Sequence, residues 1–150
     1  MTTNTFRSVN EAPRGFNHRI VVDHTDLTTS ANNTTQSITL VTLPAGTVVK
    51  SAAYWLKTPF KLSTNSSFDL TTMIVGDSGD ADRYIDSSEL NENGTEIVYA
   101  VNNEGKLPFV TTASAAVSAV FTPKAANNLA ELDTGEIHIY LETADVTTLS

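Results

Sequence analysis

The reactive side chains of this 150-residue chain concentrate in one string, Gly76-Asp77-Ser78-Gly79-Asp80-Ala81-Asp82-Arg83, with Asp86 just beyond it. Two chemistries are conceivable there. A nucleophilic serine would be Ser78, which needs a histidine base and an acid to orient that base. His24, between Asp23 and Asp26, is the nearest such group, 54 positions upstream. A hard cation would instead use Asp77, Asp80 and Asp82, because calcium takes several oxygen ligands from one loop. The string lacks the alternating acids, central glycine and distal glutamate of an EF-hand. Arg83 stands among the acids and can neutralise part of their charge without a metal. The main expectation is therefore a solvated acidic turn, with no metal and no cofactor, and the cation loop is the lesser reading.

The other candidate ligands and nucleophiles are sparse. His18, His24 and His138 are scattered, and none has a second histidine at metal-ligand spacing. His138 alternates with Glu136 and Tyr140, so it is expected as an exposed strand histidine. The Gly76–Gly79 stretch has neither the lysine nor the following helix of a phosphate-binding loop. The absence of cysteine removes thiol nucleophiles, disulfides, iron–sulfur clusters and cysteine zinc sites. Around Ser78 the string resembles the Gly-Asp-Ser-Gly-Gly loop of serine proteases for four residues, yet Asp80 stands where that family has its next glycine. The chain is also too short for two six-stranded barrels. No enzymatic activity is expected.

The elements that must position these residues read as strands. Apolar runs recur at 19–23, 37–43, 47–57, 68–75, 83–85, 96–101, 115–121 and 136–142. Ile137, Ile139 and Leu141 alternate with Glu136, His138, Tyr140 and Glu142, the period of a half-buried strand. Phe68, Leu70 and Ile74 share one phase, with Thr72. Turn formers at 44–46, 77–80, 91–94, 102–105 and 133–135 cut each run before it could become a long helix. Threonine suits pleated, half-buried surfaces. The one helix candidate, 124–132, holds paired asparagines and is expected to form a single turn. About eight short strands in one chain of this length predict an all-β antiparallel β-sandwich, with jelly roll the leading topology. A chain of this size buries roughly 70% of the surface it exposes when unfolded, enough for one core without staples.

Residues 1–17 differ. They are polar, carry neither period, and contain the breakers Pro13 and Gly15, so they read as an extended N-terminal arm ahead of a sandwich domain at 18–150. Tyr54 and Trp55 are adjacent on one strand and must face opposite sides. Trp55 is expected to be the core residue of the pair, its other roles being a sugar-stacking platform or an interface anchor.

Charge is unevenly placed. Residues 1–61 carry six bases against three acids, a net +3, and residues 62–150 carry three bases against fourteen acids, a net −11. This asymmetry can orient the molecule against a charged partner or a copy of itself. A formal charge of −8 disfavours nucleic acid as a partner, since phosphate binding needs a concentrated positive surface. No run approaches the length of a membrane span, and no export signal is readable.

Three strings read in order carry a resemblance: Asp23-His24-Thr25-Asp26-Leu27-Thr28, then Leu40-Val41-Thr42-Leu43-Pro44-Ala45-Gly46-Thr47-Val48-Val49, then Val75-Gly76-Asp77-Ser78-Gly79-Asp80-Ala81-Asp82-Arg83-Tyr84-Ile85. From about Ile20 to Leu141 the chain resembles small structural proteins of tailed bacteriophages, the capsid decoration or cement proteins. The resemblance implies a β-sandwich, a trimer or similar oligomer, seated on the outer capsid surface of the virion and clamping neighbouring major capsid protein subunits. The arm matches no motif. Its composition of Phe6, Arg7, Arg14, Phe16 and Arg19 joins aromatic anchors to guanidinium forks, the residue types enriched at interfaces, and these five are the expected partner-binding residues. The alternative function is a receptor- or carbohydrate-binding module of a tail fibre or other virion appendage.

Overall fold

The computed structural model describes residues 1–5, 15–64, 71–91, 96–100 and 105–148. Ten strands occur among them: β1 (Thr2–Thr5), β2 (His18–Asp23), β3 (Gln36–Leu43), β4 (Thr47–Lys61), β5 (Thr72–Asp77), β6 (Asp80–Glu89), β7 (Glu96–Ala100), β8 (Phe109–Val110), β9 (Ala115–Thr122) and β10 (Thr134–Asp145). They form an antiparallel sandwich. One sheet has the order β1-β2-β10-β4-β7, with β8 also pairing β4, and the other has the order β3-β9-β5-β6. No helix among the described residues is long and apolar enough to cross a membrane.

Strand β10 organises the larger sheet. It pairs along its length with β2 on one side and β4 on the other, so that Ile139 lies opposite both Ile20 and Tyr54. Its period of two turns Ile137, Ile139 and Leu141 inward, and all three are fully buried. The facing sheet supplies Val75, Val117, Ala119 and Phe121 to the same core. Phe60 and Phe121 meet across the layers with ring centroids 5.9 Å apart and planes tilted by 42°. Aromatic pairs favour such offset or tilted contacts because ring faces and edges carry opposite partial charge.

The strand ends depart from the sequence pattern for local reasons. Strand β4 runs on through Pro59 to Lys61. Its end is fastened from two sides: the Phe60 amide donates to the Leu90 carbonyl at 2.9 Å, and the Asp133 amide donates to the Lys61 carbonyl at 3.2 Å. Thr134 and Gly135, expected in a turn, open strand β10 beside a register shift in its pairing with β4. Gly135 has φ +144°, and a Cβ there would lie 2.3 Å from the Phe60 ring, so the ring packs where only glycine leaves room.

Segment 124–132 contributes only a 3-10 turn at Leu129–Glu131, whose Leu129 is buried. In β5 the core positions are Met73 and Val75, while Thr72 and Ile74 face outward in the opposite phase to the apolar face expected from Ile74. Phe68 and Leu70, which suggested that phase, lie outside the described residues. The edge strand Thr2–Thr5 was not foreseen: it pairs antiparallel with β2 from Thr2 opposite Val21 to Thr5 opposite His18. A polar tetrapeptide has no apolar period, and only the neighbouring backbone specifies its pairing.

Ile139 sits at the centre of β10 with no exposure, so the cavity left by Ile139→Ala should cost about 2–5 kcal/mol of stability. Urea unfolding read by circular dichroism measures it, and a loss within about 0.5 kcal/mol of wild type would contradict the assigned core.

Candidate functional site

The acidic string folds as a tight hairpin. Asp77 ends β5 and pairs in register with Asp80 at the start of β6, leaving Ser78 and Gly79 as the turn. The Asp77 carboxylate accepts from the amides of Gly79 at 2.9 Å and Asp80 at 3.1 Å, which closes the turn from inside. It also accepts from Arg83 Nε at 2.8 Å and from the Tyr84 hydroxyl at 2.9 Å. Arg83 in turn lies over the Phe109 ring, 3.7 Å from guanidinium carbon to centroid. Through Phe109 the hairpin of the smaller sheet is tied to β8, which pairs with β4 in the larger one.

A second cation completes this arrangement. The Lys106 ammonium approaches Asp80 at 3.4 Å and Asp82 at 2.5 Å. It was not singled out from the sequence, because it is 24 residues from Asp82 and only the fold brings the two together. The carboxylates considered for a cation loop are thus directed at protein donors: Asp77 at Arg83, Tyr84 and backbone amides, Asp80 and Asp82 at Lys106. Among the described residues no group of three or more potential ligands is arranged around a common point.

The pKa directions agree with a structural role. Burial alone would raise the Asp77 carboxyl, but hydrogen bonds from Arg83, Gly79 and Tyr84 and the guanidinium charge outweigh it and lower the value. Burial first, and then the adjacent Asp77 carboxylate, push the Tyr84 phenol upward and keep it protonated. Asp82 is lowered, first by its hydrogen bond to Lys106.

Ser78 and His24 line separate depressions. The one beside Ser78 lies on the smaller sheet, among Ser37, Gly76, Asp77, Ala116, Ser118 and Val120. The one beside His24 is formed by Asp23, Thr25, Thr58, Asp133, Gly135 and Glu136. The acids flanking His24 serve the local backbone: Asp23 accepts from the Thr25 amide at 2.8 Å, and Asp26 accepts from the Asp23 amide at 3.0 Å and from the Met1 ammonium at 2.5 Å. His24 and Ser78 are therefore not brought together.

The outer face of the larger sheet carries a cluster of rings. Tyr54, not Trp55, is the core member of the adjacent pair. The expectation for Trp55 is corrected by register: Tyr54 lies opposite Ile139, which faces inward, and Trp55 lies opposite His138, which faces outward. Trp55 and His138 meet edge to face with centroids 5.1 Å apart, and Tyr140 packs against Phe16 at 5.8 Å. His138 is on the expected face but is only 9% exposed, because the neighbouring rings cover it. Its Nε2 donates to Glu136 Oε1 at 2.7 Å, and Lys57 approaches the same carboxylate at 3.0 Å. These two contacts, His138 first, lower the Glu136 carboxyl.

Of the five expected partner-binding residues, Phe16 is buried against Tyr140 and Arg19 is half-buried in β2 opposite Tyr140. Phe6, Arg7 and Arg14 lie outside the described residues.

The lowered Asp77 pKa fixes the sign of a pH effect. A carboxylate that ionises more easily when folded stabilises the fold above its unfolded pKa, and that contribution disappears as pH falls through the folded value. Wild-type stability should therefore decline from about pH 4 downward, near and below the ordinary aspartate value of 3.8. Asp77→Asn should lose about 1–3 kcal/mol at neutral pH and show a shallower decline in the acid window. Urea titrations at a series of pH values measure both. Parallel curves for variant and wild type would show that Asp77 contributes nothing to the acid transition.

No protein-family model matches the chain, and no curated protein matches it. Among solved structures the fold is similar to that of a chain in the cyanophage Pam1 capsid asymmetric unit, with a TM-score of 0.53 and 20% sequence identity. The likeness covers 88% of this chain and 86% of that one, so the two are of nearly equal length.

Proposed function

We propose that the chain is a structural protein of a tailed-bacteriophage virion, a decoration or cement protein that binds the outer capsid surface and stabilises contacts between major capsid subunits. The observation that carries this reading is the likeness in fold, over 88% of this chain, to a chain of similar length within a cyanophage capsid asymmetric unit. The jelly-roll topology belongs to the same reading. The repeated passage of the chain between the six-strand layer built on β2-β10-β4-β7 and the four-strand layer β3-β9-β5-β6 supports it.

A non-enzymatic role is part of the proposal. Cementing a shell calls for area and shape complementarity. In this sandwich the densest acidic string is committed to holding two sheets together through Arg83, Phe109 and Lys106. The attachment element is the N-terminal segment, with Phe6, Arg7 and Arg14 as its contacts. Phe16 and Arg19 root that segment in the sandwich, Phe16 through its packing on Tyr140. A trimer is the favoured oligomer on the capsid.

Immunogold labelling of native particles, followed by electron microscopy, tests the location. Label over the whole head is expected, whereas label confined to the tail or to a single vertex would favour a receptor- or carbohydrate-binding appendage and overturn the reading. In head-binding assays, the combined substitution Phe6→Ala, Arg7→Ala and Arg14→Ala should weaken attachment by at least about tenfold while leaving the urea midpoint of the sandwich in place. Unchanged attachment would remove the N-terminal segment from the interface.

A further inference from the structure

Strand β1 is the outer strand of the larger sheet and pairs with β2. Their register runs from Thr2 opposite Val21 to Thr5 opposite His18. What β1 contributes is backbone. The tetrapeptide Thr-Thr-Asn-Thr has no apolar side chain for the core, and its threonines suit an extended strand. The Met1 ammonium adds a contact to Asp26 at 2.5 Å. Antiparallel neighbours are ordinarily joined by a hairpin loop of about two to five residues, whereas residues 6–17 separate β1 from β2. A connection of that length spans at most about 40 Å. Covalent linkage therefore does not oblige β1 to pair with the β2 of its own chain.

We infer that β1 is an exchangeable strand, which pairs with its own β2 when the chain is dilute and with the β2 of a second copy when copies are crowded. The β2 edge selects this occupant. It accepts Thr2–Thr5 in one register with the Met1 ammonium at Asp26, and a second copy presents the same segment, the same ladder and the same ammonium. Exchange therefore keeps the ladder hydrogen bonds, and the two states differ chiefly in the path of the connection. A vacated β2 edge would leave unpaired amides and carbonyls beside the buried Ile20 and Val22, so the departure of β1 calls for a replacement of the same form. A tethered segment meets its own edge at an effective concentration of order millimolar, and copies held side by side at comparable density compete with it. Each copy gives one strand and takes one, so the exchange closes as a pair or as a ring. On a shell it links neighbouring copies. That consequence rests on the attachment reading above, because Thr5 adjoins Phe6 and a Phe6 bound to a neighbour carries β1 with it. The exchange itself stands apart from that reading.

A chain without native cysteine allows a direct test. Thr2 and Val21 are register partners, Thr2 exposed and Val21 half-buried. Full-length chains carrying Thr2→Cys are mixed with chains carrying Val21→Cys at about 1 mM, near the effective concentration of the tether, in a glutathione redox buffer. Peptide mass spectrometry counts the disulfides between positions 2 and 21. Their yield should exceed that of Thr2→Cys mixed with Thr122→Cys, an exposed position on β9, by at least about fivefold, and should fall on dilution. If Val21→Cys fails a circular dichroism check of folding, wild type makes the same comparison. Carbodiimide coupling in an equal mixture of isotope-labelled and unlabelled chains should join Met1 to Asp26 in mixed-isotope products, in excess of those at the exposed Asp86. Disulfide yields no higher than the Thr122→Cys control, or Met1–Asp26 products all of one isotope, would each overturn the inference. Such a result together with immunogold label over the whole head ends the exchange and leaves the capsid location standing, whereas strong exchange with label confined to the tail does the reverse.

Discussion

The sandwich depends on the alternation of β10. Its inward residues Ile137, Ile139 and Leu141 are buried between β2, β4 and the facing sheet, while Glu136, His138, Tyr140 and Glu142 stand on the opposite side. A slip of one residue would exchange these sets, placing two carboxylates and an imidazole in the core. That penalty fixes the register of β10, and pairing then carries it to β2 and β4. The identity of the core tyrosine follows from the same constraint. Tyr54 points inward because it is opposite Ile139, and Trp55 is turned outward onto His138.

The acidic hairpin shows how residues suited to chemistry are used for construction. Asp77 receives a guanidinium, a phenol and two amides, a set that satisfies its lone pairs and leaves a carboxylate stable as a charge in a partly buried place. Arg83 makes the link productive across the molecule by stacking on Phe109. The hairpin of one sheet is thereby held against β8 of the other, beside Tyr84 and Leu107 of the apolar core. Lys106 adds a more exposed contact to Asp80 and Asp82, whose contribution is screened by solvent.

The surfaces left over by these demands are of three kinds. One is the ring cluster on the larger sheet, where Phe16 binds the root of the N-terminal segment to Tyr140. Another is the strongly acidic flank around β6. The third is the charge-free band of β3 and β9. Surfaces of such different character can each meet a different neighbour without competing for the same contacts.

The strand class, the period of β10, the turn at Ser78 and Gly79, and the partnership of Arg83 with the acids around it are legible in the order of residues alone. Each of these is written within a few residues, by alternation, by turn-forming side chains or by adjacent opposite charges. That order does not reveal which of Tyr54 and Trp55 is buried, that Met73 and Val75 are the core positions of β5, that Thr2–Thr5 completes a sheet edge, or that Lys106 and Phe109 close on the acidic hairpin. Those features are set by pairing between segments far apart in the chain. A residue's face depends on the strand it lies against, and an ion pair spanning two dozen positions exists only once two sheets are stacked. Local pattern therefore sets what each segment can be, and the packing of the two sheets selects the neighbours it meets.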